Sequence, residues 1–535
     1  MASRRDELNA YTFARKRTIS AFLQPALSVT EEGAPRPLRA VLPGLIIGAL
    51  ILAGFGAWGM FKPPAPKGWD DPEAHVIVGS SSTTRYVVLK TDGKKQLHPV
   101  LNLASAKLLL SPGKSSIIKV KESVLDSGDI PRGPTLGIPF APDRMPSADD
   151  ARKQKHWAVC EQPGGNNTST QKAVFLFADR EADKVEGSER LRGAEVLYVQ
   201  GRSGARYLVD PRGVKYLIGN AKNRQEATGP EYNLLLRTLF SDGAIPQQVT
   251  DDWLGTLKDG QPIVFPTVPG EVGTDAGVAT LGQRANRVGM VLTASTGTGP
   301  QHYVVLKGKV ARVSDFVANL LLSSGQLADL EQNGKAEQVS AADFTSDAEE
   351  FSGDRNWPVE RPRQVNSVDP NEGGAAHDTV CSILDGVGSD ATPRLGTWAG
   401  KNYPATIMDG ATSAYVTPGT GLLYRQIQGK STKTGQVFLV TDTGLRYQVQ
   451  ANSDSSTDKS KIGDVGAEQK GTEGEGPTDE EPPAPAAQPQ TEANEAQTRL
   501  GYEGVDPLPV PANWSQFLPI GPRLDTNSAR QPQGL

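Results

Sequence analysis

Tyr86-Val-Val-Leu-Lys90 recurs unchanged as Tyr303-Val-Val-Leu-Lys307. An aromatic start followed by β-branched and apolar residues reads as a strand. Each copy is followed by a short apolar stretch at helical spacing, Ala106-Lys-Leu-Leu-Leu110 and Ala318-Asn-Leu-Leu-Leu322. A second pair is Tyr207-Leu-Val-Asp-Pro-Arg-Gly-Val-Lys-Tyr216 and Phe438-Leu-Val-Thr-Asp-Thr-Gly-Leu-Arg-Tyr447, both reading as strand, glycine turn, strand. Self-similarity at a nearly constant offset is the mark of a repeated unit. The sequence therefore predicts a mixed α+β, β-rich fold of four related units arranged as two halves.

The two cysteines follow the same duplication. Cys160 ends Trp157-Ala-Val-Cys160, between units one and two; Cys381 ends Asp378-Thr-Val-Cys381, between units three and four. Equivalent positions in two halves meet where they flank a pseudo-twofold axis. A disulfide between Cys160 and Cys381 is expected on an oxidising side of a membrane, two free buried thiols being the alternative.

Working toward the N-terminus, residues 40–61 carry no charge from Ala40 to Phe61. As a helix this stretch is long enough for a hydrocarbon core of about 30 Å. Arg4, Arg5, Arg15, Lys16, Arg17, Arg36 and Arg39 precede it, while Asp70, Asp71 and Glu73 follow soon after. The positive-inside rule then predicts a single-pass protein of the cell membrane, with its N-terminus cytoplasmic and its C-terminal domain extracytoplasmic. A cleaved signal peptide fits less well, since such peptides have a short basic region and a shorter apolar core. Gly44 and Gly48 form a small-xxx-small pair that suits helix packing but arises easily in a glycine-rich span.

The expected organisation is a cytoplasmic basic arm (1–39), the span (40–61), a linker (62–74), a first half with units one and two (75–285) and a second half (286–451). Residues 452–499, rich in Gly, Glu, Asp, Pro, Ala and Gln, read as a disordered acidic insertion. Residues 500–535 read as a tail that completes unit four. Trp514-Ser-Gln-Phe-Leu518-Pro-Ile-Gly521 repeats the Trp, Leu and Gly pattern of Trp253-Leu-Gly-Thr-Leu257-Lys-Asp-Gly260.

Chemistry is sparse. Lys+Arg 56 against Asp+Glu 61 gives a formal net charge of −5, which does not suggest nucleic acid. His75, His98, His156, His302 and His377 show no metal-ligand spacing, so neither a metal nor a catalytic residue is expected. Gly113-Lys-Ser115 and Gly429-Lys-Ser431 end like phosphate loops, but Leu108 and Tyr424 stand where a Walker A motif needs its first glycine. No cofactor is expected. In the arm, Leu8, Tyr11, Phe13, Ile19, Phe22 and Leu23 alternate with basic residues. That pattern serves a topology-setting arm at an anionic leaflet and a docking helix equally well.

The chain resembles the EccB family, the single-pass membrane components of actinobacterial type VII (ESX) secretion systems. The resemblance rests on Tyr11-Thr-Phe-Ala-Arg-Lys-Arg17 with the adjoining span, and on Leu97-His-Pro-Val-Leu-Asn-Leu-Ala-Ser-Ala-Lys107. Ile130-Pro-Arg-Gly-Pro-Thr-Leu-Gly-Ile-Pro139 and Trp157-Ala-Val-Cys160 also carry it. It covers nearly the whole chain except the acidic insertion. It implies an elongated, propeller-like extracytoplasmic domain of four repeat lobes around a β core with approximate twofold symmetry. It implies a scaffold role in a membrane complex with an EccC-type motor ATPase, EccD, EccE, the mycosin protease MycP and other EccB copies. The arm, with Tyr11, Phe13, Arg15, Lys16 and Arg17, would then dock cytoplasmic partners. Some family members are labelled ATPases, so ATP hydrolysis is the alternative, although no motif here carries it.

Overall fold

The computed structural model describes residues 4–23, 38–61, 65–114, 116–164, 169–367, 377–407, 413–450, 462–463 and 490–533. The chain divides into two units, Met1–Lys67 and Gly68–Leu535. The first holds α1 (Arg4–Leu23) and α2 (Leu38–Phe61). The 24-residue α2 covers the uncharged stretch, with Pro43 in its second turn. Its described side chains are those of 41–57. Among the described residues no helix is long and apolar enough to cross a membrane.

The second unit is β-rich and mixed, with five sheets among the described residues. Its first sheet is the meander β1 (His75–Gly79), β2 (Arg85–Thr91) and β3 (Lys94–Val100). Next, α3 (Leu103–Leu108) starts at Asn102, whose side chain accepts from the Ser105 amide at 2.9 Å. That helix carries the chain over to β4 (Ser116–Val120), which lies parallel to β1. A parallel strand needs such a crossover, whereas antiparallel neighbours need only a turn. After α4 (Glu122–Leu125) the chain returns along β3, with Leu97 opposite Arg132 and Val100 opposite Leu136. Then come α5 (Ala148–Ala151), the hairpin β5 (His156–Pro163) and β6 (Thr170–Phe177), and α6 (Asp183–Glu186).

The same order recurs. β7 (Glu195–Gln200), β8 (Arg206–Val209) and β9 (Val214–Leu217) form a meander, followed by α7 (Pro230–Leu239). β10 (Gln247–Gln248) lies parallel to β7, α8 (Asp251–Leu254) follows, and β11 (Lys258–Asp259) returns along β9. Next come β12 (Val291–Thr296), β13 (Gly299–Leu306), β14 (Lys309–Val313) and α9 (Asp315–Ser323). β15 (Glu337–Gln338) and β16 (Ser346–Glu350) then run parallel to β12 and β14. β17 (Arg363–Gln364) adds to β7. β18 (Thr379–Val387), β19 (Pro393–Gly400) and β20 (Ala414–Val416) precede the last meander, β21 (Leu422–Ile427), β22 (Gln436–Val440) and β23 (Arg446–Val449). There α10 (Gln490–Leu500) leads to β24 (Leu508–Pro511), parallel to β21. Finally α11 (Ala512–Ser515), a return along β23 and α12 (Thr526–Ala529) close the chain. Tyr86, Tyr207, Tyr303 and Phe438 all lie on the middle strands of these meanders. That shared position is why the duplicated stretches look alike.

The fifth sheet, ordered β19-β18-β5-β6-β20, joins the two hairpins that separate the meanders. One of its faces packs Trp157, Val159, Leu176 and Val380 against Trp253, Tyr424 and Trp514. The first and last meander sheets share one core, through Leu89, Leu108, Leu439 and Leu500. The second and third share another, through Leu208, Leu235, Val304 and Leu320. One core therefore joins the first and last meanders of the chain and the other joins the two between them. Helices α3 and α10 meet in one core and α7 and α9 in the other.

The expected acidic insertion falls mostly outside the described residues. Within it α10 begins at Gln490, and Ala496 and Leu500 on that helix are buried against α3. Further on, β24 pairs with β21 in the last sheet, and Trp514, Leu518 and Leu524 are all buried.

Candidate functional site

Cys160 and Cys381 face each other on the adjacent inner strands β5 and β18 of the fifth sheet and are disulfide-bonded, with their Cα atoms 4.0 Å apart. Both are fully buried, among Ala158, Phe175, Ile383 and Trp398. The next residue, Glu161, is a buried carboxylate. It accepts from the Thr250 amide at 2.8 Å and from the Thr250 hydroxyl at 2.5 Å. Thr250 also caps α8, accepting from the Trp253 amide. Burial pushes the Glu161 carboxyl above its ordinary range, with the Thr250 bonds and Lys172 acting against that rise.

At the start of β5 the fold gathers a charged group that the sequence did not signal. His156 Nδ1 lies 3.3 Å from Glu186 and Nε2 lies 3.6 Å from Asp179. Ligand atoms of His156, Glu186 and Asp385 lie within 4.8 Å of one another, close enough to share a metal ion. Arg190 stands among them, however. Its Nη1 donates to Glu186 at 3.0 Å and to Asp385 at 3.1 Å, and its Nη2 also donates to Asp385. A guanidinium already neutralises these carboxylates, so the group suits a structural ion-pair network better than a cation. These residues come from β5, α6, the segment after it and β18, and no spacing signal could have joined them.

The other histidines have local partners. His75 Nδ1 is 2.6 Å from Ser116 Oγ, buried His98 meets the Pro134 carbonyl at 3.0 Å, and His302 is 3.4 Å from Asp315. His377 precedes β18 and is partly buried.

Neither glycine–lysine triplet lies at a strand-to-helix turn. Gly113 and Lys114 precede β4, and Gly429 and Lys430 lie in the turn between β21 and β22. A phosphate loop draws its amide donors from a loop that opens a helix, and here a strand follows in each case. Gly429 and Lys430 do line an open cleft of about 530 Å³ with Thr256, Lys258, Asp390 and Asn513.

On α1 no residue is buried. Tyr11 and Phe13 are 69% and 62% exposed, and Arg15, Lys16 and Arg17 are exposed beside them.

Among curated proteins, the chain is 27% identical over 483 residues to the "ESX-2 secretion system ATPase EccB2" of Mycobacterium tuberculosis, covering 85% of this chain and 88% of that one. It is 23% identical over 468 residues to the "ESX-3 secretion system ATPase EccB3" of Mycolicibacterium smegmatis, covering 84% and 83%. Its fold is shared with a chain of an intact ESX-5 inner membrane complex, at TM-score 0.54 and 19% identity, covering 100% of this chain and 96% of that one. It is also shared with a chain of the EccB3 dimer from the ESX-3 core complex, at TM-score 0.53 and 21% identity, covering 85% and 99%. The family model described as "Type VII secretion system ESX-1, transport TM domain B" matches residues 1–534, and the chain belongs to this EccB family.

Proposed function

We propose that this chain is a structural core subunit of a type VII secretion membrane complex, anchoring and assembling the export channel. The observation that carries the reading is family membership over the whole length, joined to a fold shared with a chain of an ESX-5 inner membrane complex. In this reading α2 spans the cell membrane once, α1 faces the cytoplasm and residues 68–535 lie on the outer side. The Cys160–Cys381 disulfide supports the outer placement, since such bonds persist in oxidising compartments. The four meanders with their recurring order support four repeat units, laid out like a propeller about a pseudo-twofold axis through the fifth sheet.

The partners are the motor and membrane chains of the system, of EccC, EccD and EccE type, the protease MycP, and further copies of this chain. Arm residues Tyr11, Phe13, Arg15, Lys16 and Arg17 supply the cytoplasmic contact, apolar anchors being set among charges. Replacing Arg15, Lys16 and Arg17 with serine tests this. Cytoplasmic partners should be lost from the purified complex while the chain stays in the membrane; unchanged recovery of those partners would refute the assignment.

ATP hydrolysis is the second reading. It rests on the names of relatives and on the cleft beside Gly429 and Lys430. The strand that follows each triplet weighs against it.

A further inference from the structure

The loop Ile138-Pro-Phe-Ala-Pro142 follows the return along β3 and is held from both sides. The Ile138 amide donates to Ser105 Oγ at 2.8 Å, and Asn102 Nδ2 donates to the Ile138 carbonyl at 2.7 Å. The Ala104 amide donates to the Pro142 carbonyl at 3.2 Å, and the Leu103 amide to Asp143 Oδ1 at 2.9 Å. Ile138, Ala141 and Pro142 are buried. Between them Pro139 and Phe140 stand in solvent. Phe140 has φ +63° and is 89% exposed, more than any other large apolar side chain described in residues 68–535.

Phenylalanine is the wrong residue here for the stability of the free chain. The left-handed backbone favours glycine or asparagine and crowds the Cβ of other residues. An exposed ring also gains nothing from burial. Strain of this kind, enforced by a rigid surround, concentrates at functional positions. A loop backbone held in place in advance loses little freedom when its aromatic side chain docks, which is the character of an interface anchor.

We propose that Phe140 is an anchor by which this chain grips a second copy of itself, the ring entering an apolar pocket on that copy. The inference rests on the self-association proposed above. Two observations favour that occupant. The fold is shared with a chain solved as a dimer, across 99% of that chain, and a twofold pair uses the same anchor twice. Of the charges beside the ring, Asp143 is paired with Arg85 at 2.9 Å, which leaves a net charge of +1 with Arg144. A single net positive charge falls short of the basic cluster that binds an anionic lipid surface.

The test uses the full chain in detergent, as wild type, Phe140→Asn and Phe140→Leu. Self-association is read by sedimentation. Melting is read at a dilution where the wild type is monomeric. Asparagine accepts the left-handed backbone, so Phe140→Asn should weaken self-association by about tenfold or more. Its melting temperature should stay level or rise by about 1–3 °C. Phe140→Leu keeps an apolar anchor and should stay within about threefold of wild type. An asparagine variant that associates like wild type overturns the proposal. So does one whose association and melting temperature fall together, which would assign Phe140 a structural role. Binding to anionic vesicles that Phe140→Asn abolishes, with self-association intact, would assign the ring to lipid and overturn it. A wild type that stays monomeric at every concentration defeats the self-association reading itself.

Discussion

Gly521 lies flat against the ring of Tyr447, where an added Cβ would stand 2.4 Å from a ring carbon. The same contact joins Gly260 to Tyr216, at 2.5 Å, and Gly133 to His98, at 2.1 Å. In each case the ring sits on the third strand of a meander and the glycine on or beside the segment returning along it. Alanine at Gly521 or Gly260 would push the return segment off its ring. Each change should cost about 1–3 kcal/mol, the range for overpacking a filled site. Thermal melting of the single variants checks this; melts identical to wild type would show that the ring is not so close.

The C-terminal tail is a structural part of the last sheet. Arg446 Nη1 donates to Ser515 Oγ at 2.6 Å and its Nε to the Leu518 carbonyl at 3.1 Å, while Trp514 is fully buried. Trp514→Ala should cost about 3–5 kcal/mol. Removing residues 501–535 should abolish cooperative folding of the unit Gly68–Leu535, whereas removing 464–489 should leave its melt in place. Calorimetry of the two deletions separates these outcomes.

The Cys160–Cys381 bond closes a loop of 221 residues. Its loss through Cys160→Ser with Cys381→Ser, or through reduction, should cost about 2–5 kcal/mol. The strands should remain paired, because Val380 and Glu161, and Ser382 and Val159, hold the same register on either side. Thiol counting on denatured, unreduced protein should find no free thiol.

Glu161 gives a pH signature of its own. Burial raises its folded pKa above the unfolded value, so the folded state holds the proton more tightly. Its contribution to stability therefore falls as pH rises from the ordinary glutamate range through the raised folded pKa, and the charged form carries the full penalty above it. Glu161→Gln keeps an acceptor for the Thr250 amide and should flatten this slope in a stability–pH profile. An unchanged slope would place the carboxylate in water.

The strands that repeat were legible in the sequence, because a middle strand buried on both faces keeps its aromatic and β-branched pattern. The cysteine pair was legible because each cysteine ends a short strand-like run between two of the recurring stretches. The fifth sheet was not. Its pairing of β5 with β18 joins segments more than two hundred residues apart, and such pairing leaves no local period. The cores likewise follow helix contacts that chain order does not announce. Ala496 and Leu500 are too few apolar residues to mark α10 inside an acidic stretch. The group of His156, Glu186, Arg190 and Asp385 exists only once the fold brings it together. Phe140 looks like any loop residue until its backbone angle is known.

The claim that this chain is a scaffold within a larger membrane machine is tested most directly by its native mass. A C-terminal tag, mild detergent and native mass spectrometry of the product would suffice. The expected product is a particle far larger than the chain, holding EccC-, EccD- and EccE-type subunits, whose ATP turnover disappears when the motor chain is removed. A lone chain or small homo-oligomer, recovered under conditions that keep other membrane complexes whole and hydrolysing ATP by itself, would contradict it.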